Sequence, residues 1–153
     1  MQIQNINVVH DGQSYVGFEF AALPLLAALR VACQTIDQVA DQARLSVLSD
    51  PLRALEYQTA AQEAQAFAAS GYIGDAPPSV QAWMDAADLE ARPAADSILA
   101  EAIAWQGAMY AIRAARLKGK QAVLKATTHA AAEHLADEAV AAIRASVVGV
   151  GNA

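Results

Sequence analysis

The chain has little of the chemistry with which small proteins fix a fold through covalent bonds or metal ions. It is 153 residues long and contains one cysteine, Cys33, so no disulfide can form within it. Its three histidines are scattered, and the spacing of five between His129 and His134 places them about 140° apart on a helix. We therefore expect no metal site, and a fold that an apolar core stabilises in a reducing compartment.

Charge is scarce as well. Charged residues make up 17% of the chain and hydrophobic residues 56%, whereas globular domains average about 25% and about 45–50%. The net charge of -6 gives no reason to expect nucleic acid or an anionic membrane as the main partner. So apolar a chain is expected to bury surface against a partner protein or against copies of itself, as a homo-oligomer.

Long apolar runs and catalytic motifs are missing too. No run of about 18 apolar residues predicts a membrane span, and the N-terminus has no signal-peptide pattern, so we expect synthesis in a cytoplasm. The nucleotide-binding, CxxC and GxSxG motifs do not occur. Asp37 and Asp41 are interpreted as exposed helix acids and Cys33 as a small core residue. The sequence therefore predicts no enzyme, no catalytic residue and no cofactor.

What the chain does contain begins with a β-hairpin. In residues 2–20, QIQNINVVHDGQSYVGFEF, β-branched and aromatic residues alternate on both sides of Asp11-Gly12, a dipeptide typical of tight hairpin turns. The pattern predicts strands near 3–9 and 14–20. Because a two-stranded hairpin is marginal alone in water, it must lie on the helices or add to a sheet of another chain.

The rest of the chain is rich in alanine and predicts helices. The predicted helices run from Pro24 to Leu48, from Asp50-Pro51 to Ser70 with a stop at Ser49 and Gly71 at the end, from a cap at Ser79 past Trp83, and from Ala94 onward with an interruption near 126–128. The large residues expected in the core are Leu26, Leu29, Ile36, Trp83, Ile98, Trp105, Met109, Ile112, Leu135 and Ile143.

Apolar residues of the first helix alternate by three and four, at Leu26, Leu29, Cys33, Ile36, Ala40, Ala43 and Val47. This seam is typical of a coiled coil and equally of the core face of a bundle helix. The predicted fold class is mainly α, either an antiparallel helical bundle or coiled-coil-like helical hairpins, with a short N-terminal β-hairpin. We expect the hairpin to occupy 1–21 as an attachment element, the helices 22–148 and a tail 149–153.

One helical stretch also carries a basic run: Arg113, Arg116, Lys118, Lys120 and Lys125. Residues 75–101 before it are acidic, so the two segments are expected to contact one another within or between chains; a solvated face and nucleic-acid binding are the alternatives. In the same stretch Gly107 and Gly119 each cost about 1 kcal/mol against alanine in a helix. They indicate close approach of another backbone or of an indole ring.

Nine residues are candidates for a protein interface. They are Tyr15, Phe18 and Phe20 of the hairpin, Trp83 and Trp105 as anchors or as core residues, and Arg113, Arg116, Lys118 and Lys120 of the basic run.

Two stretches of the chain carry a family pattern. Their matching residues are Glu56-Tyr57, Glu63-Ala64 and Phe67 in the first, and Asp96, Ile98, Trp105, Ile112 and Arg116 in the second. With these residues the chain, over 28–126, resembles small alanine-rich helical proteins of tailed bacteriophages and prophages. It departs from their pattern at Ala60, where they carry lysine or arginine.

The resemblance implies a gene near tail and tail-fibre genes, and it implies no enzyme and no cofactor. The expected function is that of a non-enzymatic structural protein of the phage tail or tail fibre. It would be made in the host cytoplasm, become part of the virion and bind other tail proteins through the hairpin. The alternatives are a tail-fibre assembly chaperone that leaves the virion, and a host-interaction protein that binds nucleic acid.

Overall fold

A computed structural model describes residues 1–47 and 50–150 as a mainly helical chain with one N-terminal β-hairpin, which confirms the predicted fold class at that level. The elements are β1 (Ile6–His10), β2 (Gln13–Phe18), a 3-10 turn (Phe20–Ala22), α1 (Leu25–Val47), α2 (Pro51–Ala69), α3 (Pro78–Ala87), α4 (Ala91–Val123) and α5 (His129–Ala145). The predicted end of the first helix at Leu48, the stop at Ser49 and residues 151–153 of the predicted tail lie outside the described residues.

The predicted turn at Asp11-Gly12 closes the hairpin. Both residues have positive φ, 50° and 78°, the two-residue type I′ geometry whose twist matches that of antiparallel strands. The paired residues, counted from the turn, are His10↔Gln13, Val9↔Ser14, Val8↔Tyr15 and Ile6↔Phe18. The last step skips one residue of β2, so a β-bulge interrupts the ladder there.

The helix ends follow local capping chemistry. Asp50 caps α2, because its carboxylate accepts a hydrogen bond of 2.9 Å from the N–H of Leu52, and Gly71 follows that helix with a φ of 75°, both as predicted. Thr128 caps α5 by accepting from the N–H of Ala131 at 3.2 Å, which explains the predicted interruption.

The predicted cap at Ser79 is wrong. α3 begins two residues earlier than a cap at Ser79 would place it, at Pro78, and Pro77 occupies the N-cap position without a side-chain hydrogen bond. The N–H of Ser79 instead donates to the Glu63 carboxylate of α2 at 2.8 Å. Proline suits the first helical position because it has no N–H to leave unpaired there. This preference explains why the helix starts at Pro78.

The chain forms two compact units. The first contains Met1–Arg44 and Met109–Val148, and the second contains Leu45–Ala108. Helix α4 contributes its C-terminal part to the first unit and its N-terminal part to the second.

The core of the first unit joins the hairpin to three helices. Its largest fully buried side chains are Phe20, Ile36, Ile112, Val123 and Ile143. Alanines of α1 and α5 fill the space between them, so the helices lie close together. Met109 and Leu135, both expected in the core, are half-buried against this cluster.

The apolar seam of α1 is buried from Leu29 to Ala43, as its spacing predicts, but Leu26 at its start is wrong. Leu26 is 64% exposed, whereas Leu25 is half-buried and Ala28 fully buried. Stepping back from Leu29 by three or by four gives either leucine, and the helix turns Leu25 toward the core.

Gly119 of α4 lies in this unit where α5 approaches. A Cβ at Gly119 would lie 2.3 Å from the Cβ of Ala139 and 3.4 Å from Cδ1 of Ile36. The predicted close approach is therefore confirmed at Gly119. At Gly107 no described atom lies within 4 Å of an added Cβ, so no close approach within the described chain accounts for that glycine.

The second unit has a smaller core, formed by Ala64, Phe67, Val80, Ala94 and Ala95. The Tyr72 ring packs edge-on against Phe67, with centroids 5.6 Å apart, and Ile98 packs half-buried against the cluster. Trp83 is 39% exposed, so its assignment to the core is wrong: α3 has ten residues and buries Val80 instead.

Candidate interaction surfaces

The hairpin presents one face to the core of its unit and the other to solvent. Ile6 and Val8 are buried and Tyr15 is half-buried against the same core. On the opposite face Val9 is 57% and Val16 is 73% exposed. A shallow depression runs over this region of the hairpin, between the two strands. Apolar side chains on both faces explain why the sequence pattern is so strongly β-branched.

The outer edge of β2 carries backbone groups that are free to pair. Since His10↔Gln13 flanks a two-residue turn, it is a hydrogen-bonded pair, and pairing alternates from there along the ladder. The N–H and C=O of Ser14 and Val16 therefore point away from β1. Five of the six residues of β2 are exposed, so nothing described covers this edge.

Neither strand carries the residues with which proteins protect a free edge. Exposed edges are usually blunted by charged side chains, especially lysine, or by proline. The sequences INVVH and QSYVGF contain neither Asp, Glu, Lys nor Arg, and no proline. The bulge limits the edge at one end: Gly17, with a φ of 74°, donates its N–H to Oδ1 of Asn7 at 2.9 Å. An unprotected edge of about three residues remains.

The three aromatic interface candidates of the hairpin have different surroundings. Phe20 is 2% exposed and lies edge-on to the His129 ring at 5.9 Å, so it anchors the hairpin segment in the core. Tyr15 and Phe18 form an edge-to-face pair at 5.4 Å, and Phe18 is 38% exposed. Only Phe18 therefore offers much ring surface to a partner.

The two tryptophans belong to the second unit. The indole N–H of Trp83 donates to the Ser97 hydroxyl at 2.8 Å, which fixes the ring at the surface. Trp105 is half-buried, and its Nε1 has no hydrogen-bond partner among the described residues. Trp83 thus suits a contact surface better than Trp105 does.

Two cations of the basic run have a partner outside the acidic segment. Arg116 and Lys120 both donate to the carboxylate of Asp37 on α1, at 2.9 Å and 2.5 Å. Asp96 of the acidic segment accepts instead from the Tyr72 hydroxyl and lies 3.8 Å from Arg92. Arg116 and Lys120 are thus paired with a residue of α1, and a contact between the acidic and basic segments, within or between chains, stays a prediction.

Asp37 is also not the solvated acid that the sequence suggested. Its side chain is 34% exposed between the two cations. Burial raises its pKa, but the hydrogen bonds from Lys120 and Arg116 outweigh burial and hold the pKa below the ordinary value. Arg113 and Lys118, the other interface candidates of this run, are exposed.

Cys33 is buried in the core of the first unit, as predicted. Its thiol lies 3.9 Å from the carbonyl oxygen of Lys120, and burial raises the pKa of the thiol. A raised pKa lowers the thiolate fraction and with it the reactivity of the sulfur.

The histidines take local roles. His134 lies 3.4 Å from Glu138, four residues later on α5, and His10 lies 3.4 Å from Asp11 in the turn. Nε2 of His129 forms a hydrogen bond of 2.9 Å with the Leu23 carbonyl. This bond ties α5 to the segment that follows the hairpin.

Within residues 1–47 and 50–150, no three or more His, Cys, Asp or Glu side chains are grouped so that they could hold a metal ion. None of the helices in this part of the chain combines the length and the apolar character that crossing a membrane requires. No protein family, curated protein or solved structure matches the chain.

Two exposed apolar surfaces were not predicted from the sequence. Val9 and Val16 were assigned to strands but not to the interface, although the lack of charge in both strands was a readable signal. Apolar residues of α4 at a spacing of seven, such as Ile103 and Leu117, are exposed and were not among the residues expected in the core or at an interface.

Proposed function

We propose that this protein is a non-enzymatic interaction protein that docks onto a partner through the outer edge of β2. The observation that carries the proposal is the unprotected edge at Ser14 and Val16. A partner strand that lies alongside β2 would pair with these backbone groups and cover the exposed valines. The buried face of the hairpin, with Ile6 and Val8 in the core, supports the proposal because it holds the edge rigid.

The proposed partner is a tail or tail-fibre protein of a bacteriophage. The resemblance carried by Glu56-Tyr57, Phe67, Ile112 and Arg116 supports this choice. In this proposal the protein is a virion component, and the helices of the first unit pack as an antiparallel bundle that supports the hairpin. The close contact between Gly119 and Ala139 supports such packing.

An assembly chaperone is the second candidate, and one observation favours it. α2 exposes Leu52 by 74% and Leu55 by 62%, and the two leucines lie three residues apart on one side of the helix. Such a surface suits transient binding of an apolar segment. The two candidates differ in whether the protein stays in the finished particle.

The test of docking is a pull-down of the tagged protein from cells that produce the phage. Ser14→Pro removes one outward N–H and places a ring on the edge, so capture of the partner should fall by about tenfold or more. Ser14→Ala keeps the N–H and should capture as the unchanged protein does. Equal capture by both variants, with the hairpin folded, would show that the partner binds elsewhere.

A further inference from the structure

The segment that contains the hairpin carries very little charge, and all of it has one sign. With histidine counted as neutral, the charged side chains between residues 2 and 29 are those of Asp11 and Glu19. Asp11 lies in the turn before β2, and Glu19 directly follows β2 with an extended backbone, φ −77° and ψ 147°. Both residues are exposed, the side chain of Asp11 by 86%. The edge of β2 is therefore uncharged along its length and negative at each end.

Between these two acids, β2 offers apolar contacts on both faces of the hairpin. Val16 is 73% exposed on the solvent face, and Ser14 shares that face because side chains alternate along a strand. On the other face Tyr15 and Phe18 form their edge-to-face pair, and Phe18 is 38% exposed. A strand that pairs with Ser14 and Val16 thus has an apolar neighbour for its own side chains on each face, which suits β-branched residues.

A second copy of β2 does not fit this edge. Asp11 and Glu19 are each four residues from Tyr15. In the antiparallel register that pairs Ser14 with Val16 of the other copy, Tyr15 lies on the two-fold axis, and Asp11 lies at the same end as Glu19 of the other copy. A parallel pair in register would place each acid beside its own copy. Like charges that face each other on paired strands are destabilising, so both arrangements are opposed.

We propose that the strand that docks on β2 has an uncharged, β-branched core with a basic residue at each end. This partner chemistry rests on the docking at the β2 edge proposed above, and it adds what the partner segment must carry. One lysine or arginine lies beside Asp11 and the other beside Glu19. Because β2 is six residues long, the two basic residues are expected about six to eight residues apart. The net charge of -6 adds a general attraction for such a segment.

The two kinds of contact have different roles in this docking. Backbone hydrogen bonds with Ser14 and Val16 hold the partner strand and are the same for any sequence. The charges at Asp11 and Glu19 select which strand binds and in which register, because electrostatic complementarity contributes more to specificity than to affinity. Exposed charge pairs are screened by salt, whereas strand pairing is not. Salt should therefore remove the preference for basic ends without releasing the strand.

Two synthetic peptides test this preference on the full chain. Both have the same core of alternating threonine and valine; one carries two lysines at each end and the other two glutamates. Titrations followed by the amide NMR signals of the protein are run at about 0.05 M and about 1 M salt. At low salt the lysine peptide should bind about fivefold more tightly or better, with the largest shifts at Ser14 and Val16. At high salt the two peptides should bind alike.

Three variants separate the edge charges from the edge itself. Asp11→Asn combined with Glu19→Gln removes both charges and keeps the turn, since Asn-Gly also adopts the type I′ geometry. This double variant should bind the two peptides alike at low salt. Asp41→Asn combined with Glu56→Gln removes the same charge from exposed positions on α1 and α2, and it should keep the preference. Ser14→Pro should bind both peptides about tenfold more weakly or worse.

The outcomes distinguish the partner chemistry from the docking itself. Equal binding of both peptides at low salt, weakened by Ser14→Pro, would overturn the basic ends and leave docking on β2 intact. A preference that both double variants lose equally would also overturn them, because net charge alone would then explain it. Binding of neither peptide, or binding that Ser14→Pro does not weaken, would contradict the proposed function as well. Shifts of the Ser14 and Val16 amides with protein concentration alone would show that a second copy occupies the edge.

Discussion

Gly107 and Gly119 belong to the same helix and have opposite surroundings. Gly119 is buried, and an added Cβ would overlap Ala139 of α5, whereas Gly107 is exposed with open space around it. From the sequence alone, both glycines have the same free-energy cost in a helix and the same interpretation. Their difference follows from which side of α4 faces α5, so it is a matter of packing and not of propensity.

This difference predicts opposite effects of alanine on stability. Gly119→Ala should lower the free energy of unfolding by about 1–3 kcal/mol, since α4 and α5 must separate to admit the methyl group. Gly107→Ala should raise it by about 0.5–1 kcal/mol, because alanine loses less backbone entropy on folding. Urea denaturation at a concentration where the chain is monomeric measures both. Equal effects would contradict the close contact between α4 and α5.

The side chain of Asp37 also determines a contact between two helices. It accepts from Arg116 and Lys120, and it joins α1 to α4 within the first unit. Because its pKa is held below the ordinary value, the folded state binds its proton more weakly than the unfolded state does. Asp37 therefore stabilises the fold above the unfolded pKa of about 3.9 and loses this contribution as the pH falls through its folded pKa.

Asp37→Asn should lower the free energy of unfolding at neutral pH by about 1–3 kcal/mol, because it leaves two cations without their carboxylate. It should also flatten the decline in stability that the protein shows as the pH falls below the unfolded pKa of about 3.9. Asp41→Asn is the matched control: Asp41 is an exposed acid paired with Arg44 on the same helix, and its loss should cost less than about 1 kcal/mol. An unchanged pH profile for Asp37→Asn would show that its ion pairs do not stabilise the fold.

At the scale of elements, the sequence predicts best where local chemistry decides. The hairpin turn follows from the positive φ that Asp11-Gly12 adopts, and the start of α2 follows from the carboxylate of Asp50. The core face of α1 follows from helical periodicity between Leu29 and Ala43. Each of these features depends on neighbours within one or two turns of chain.

The same reasoning fails where a distant partner decides. Nothing near Arg116 and Lys120 in sequence indicates that Asp37, 79 residues from Arg116, is their partner. Whether Leu25 or Leu26 faces the core depends on the direction in which α1 meets the hairpin segment. The edge of β2 could be predicted only in part. The sequence shows that its strands lack charge, but it does not show that the edge is exposed.

At the scale of the whole molecule, the low charge of the chain leaves exposed apolar side chains on several of the described elements. Examples are Val16 on β2, Leu52 on α2 and Leu117 on α4. They lie on different elements, so one partner need not cover all of them.

The last prediction concerns that assembly. If backbone hydrogen bonds along β2 and the apolar contacts of Val16 hold the protein on a tail or tail fibre, salt should not release it. At about 1 M salt the Debye length is about 3 Å, so contacts that rest on exposed charges are lost while strand pairing persists. Mass spectrometry of purified particles washed at that salt should therefore find the protein at a fixed copy number. Its absence from particles, with its presence in the lysate, would contradict the virion role and favour the chaperone.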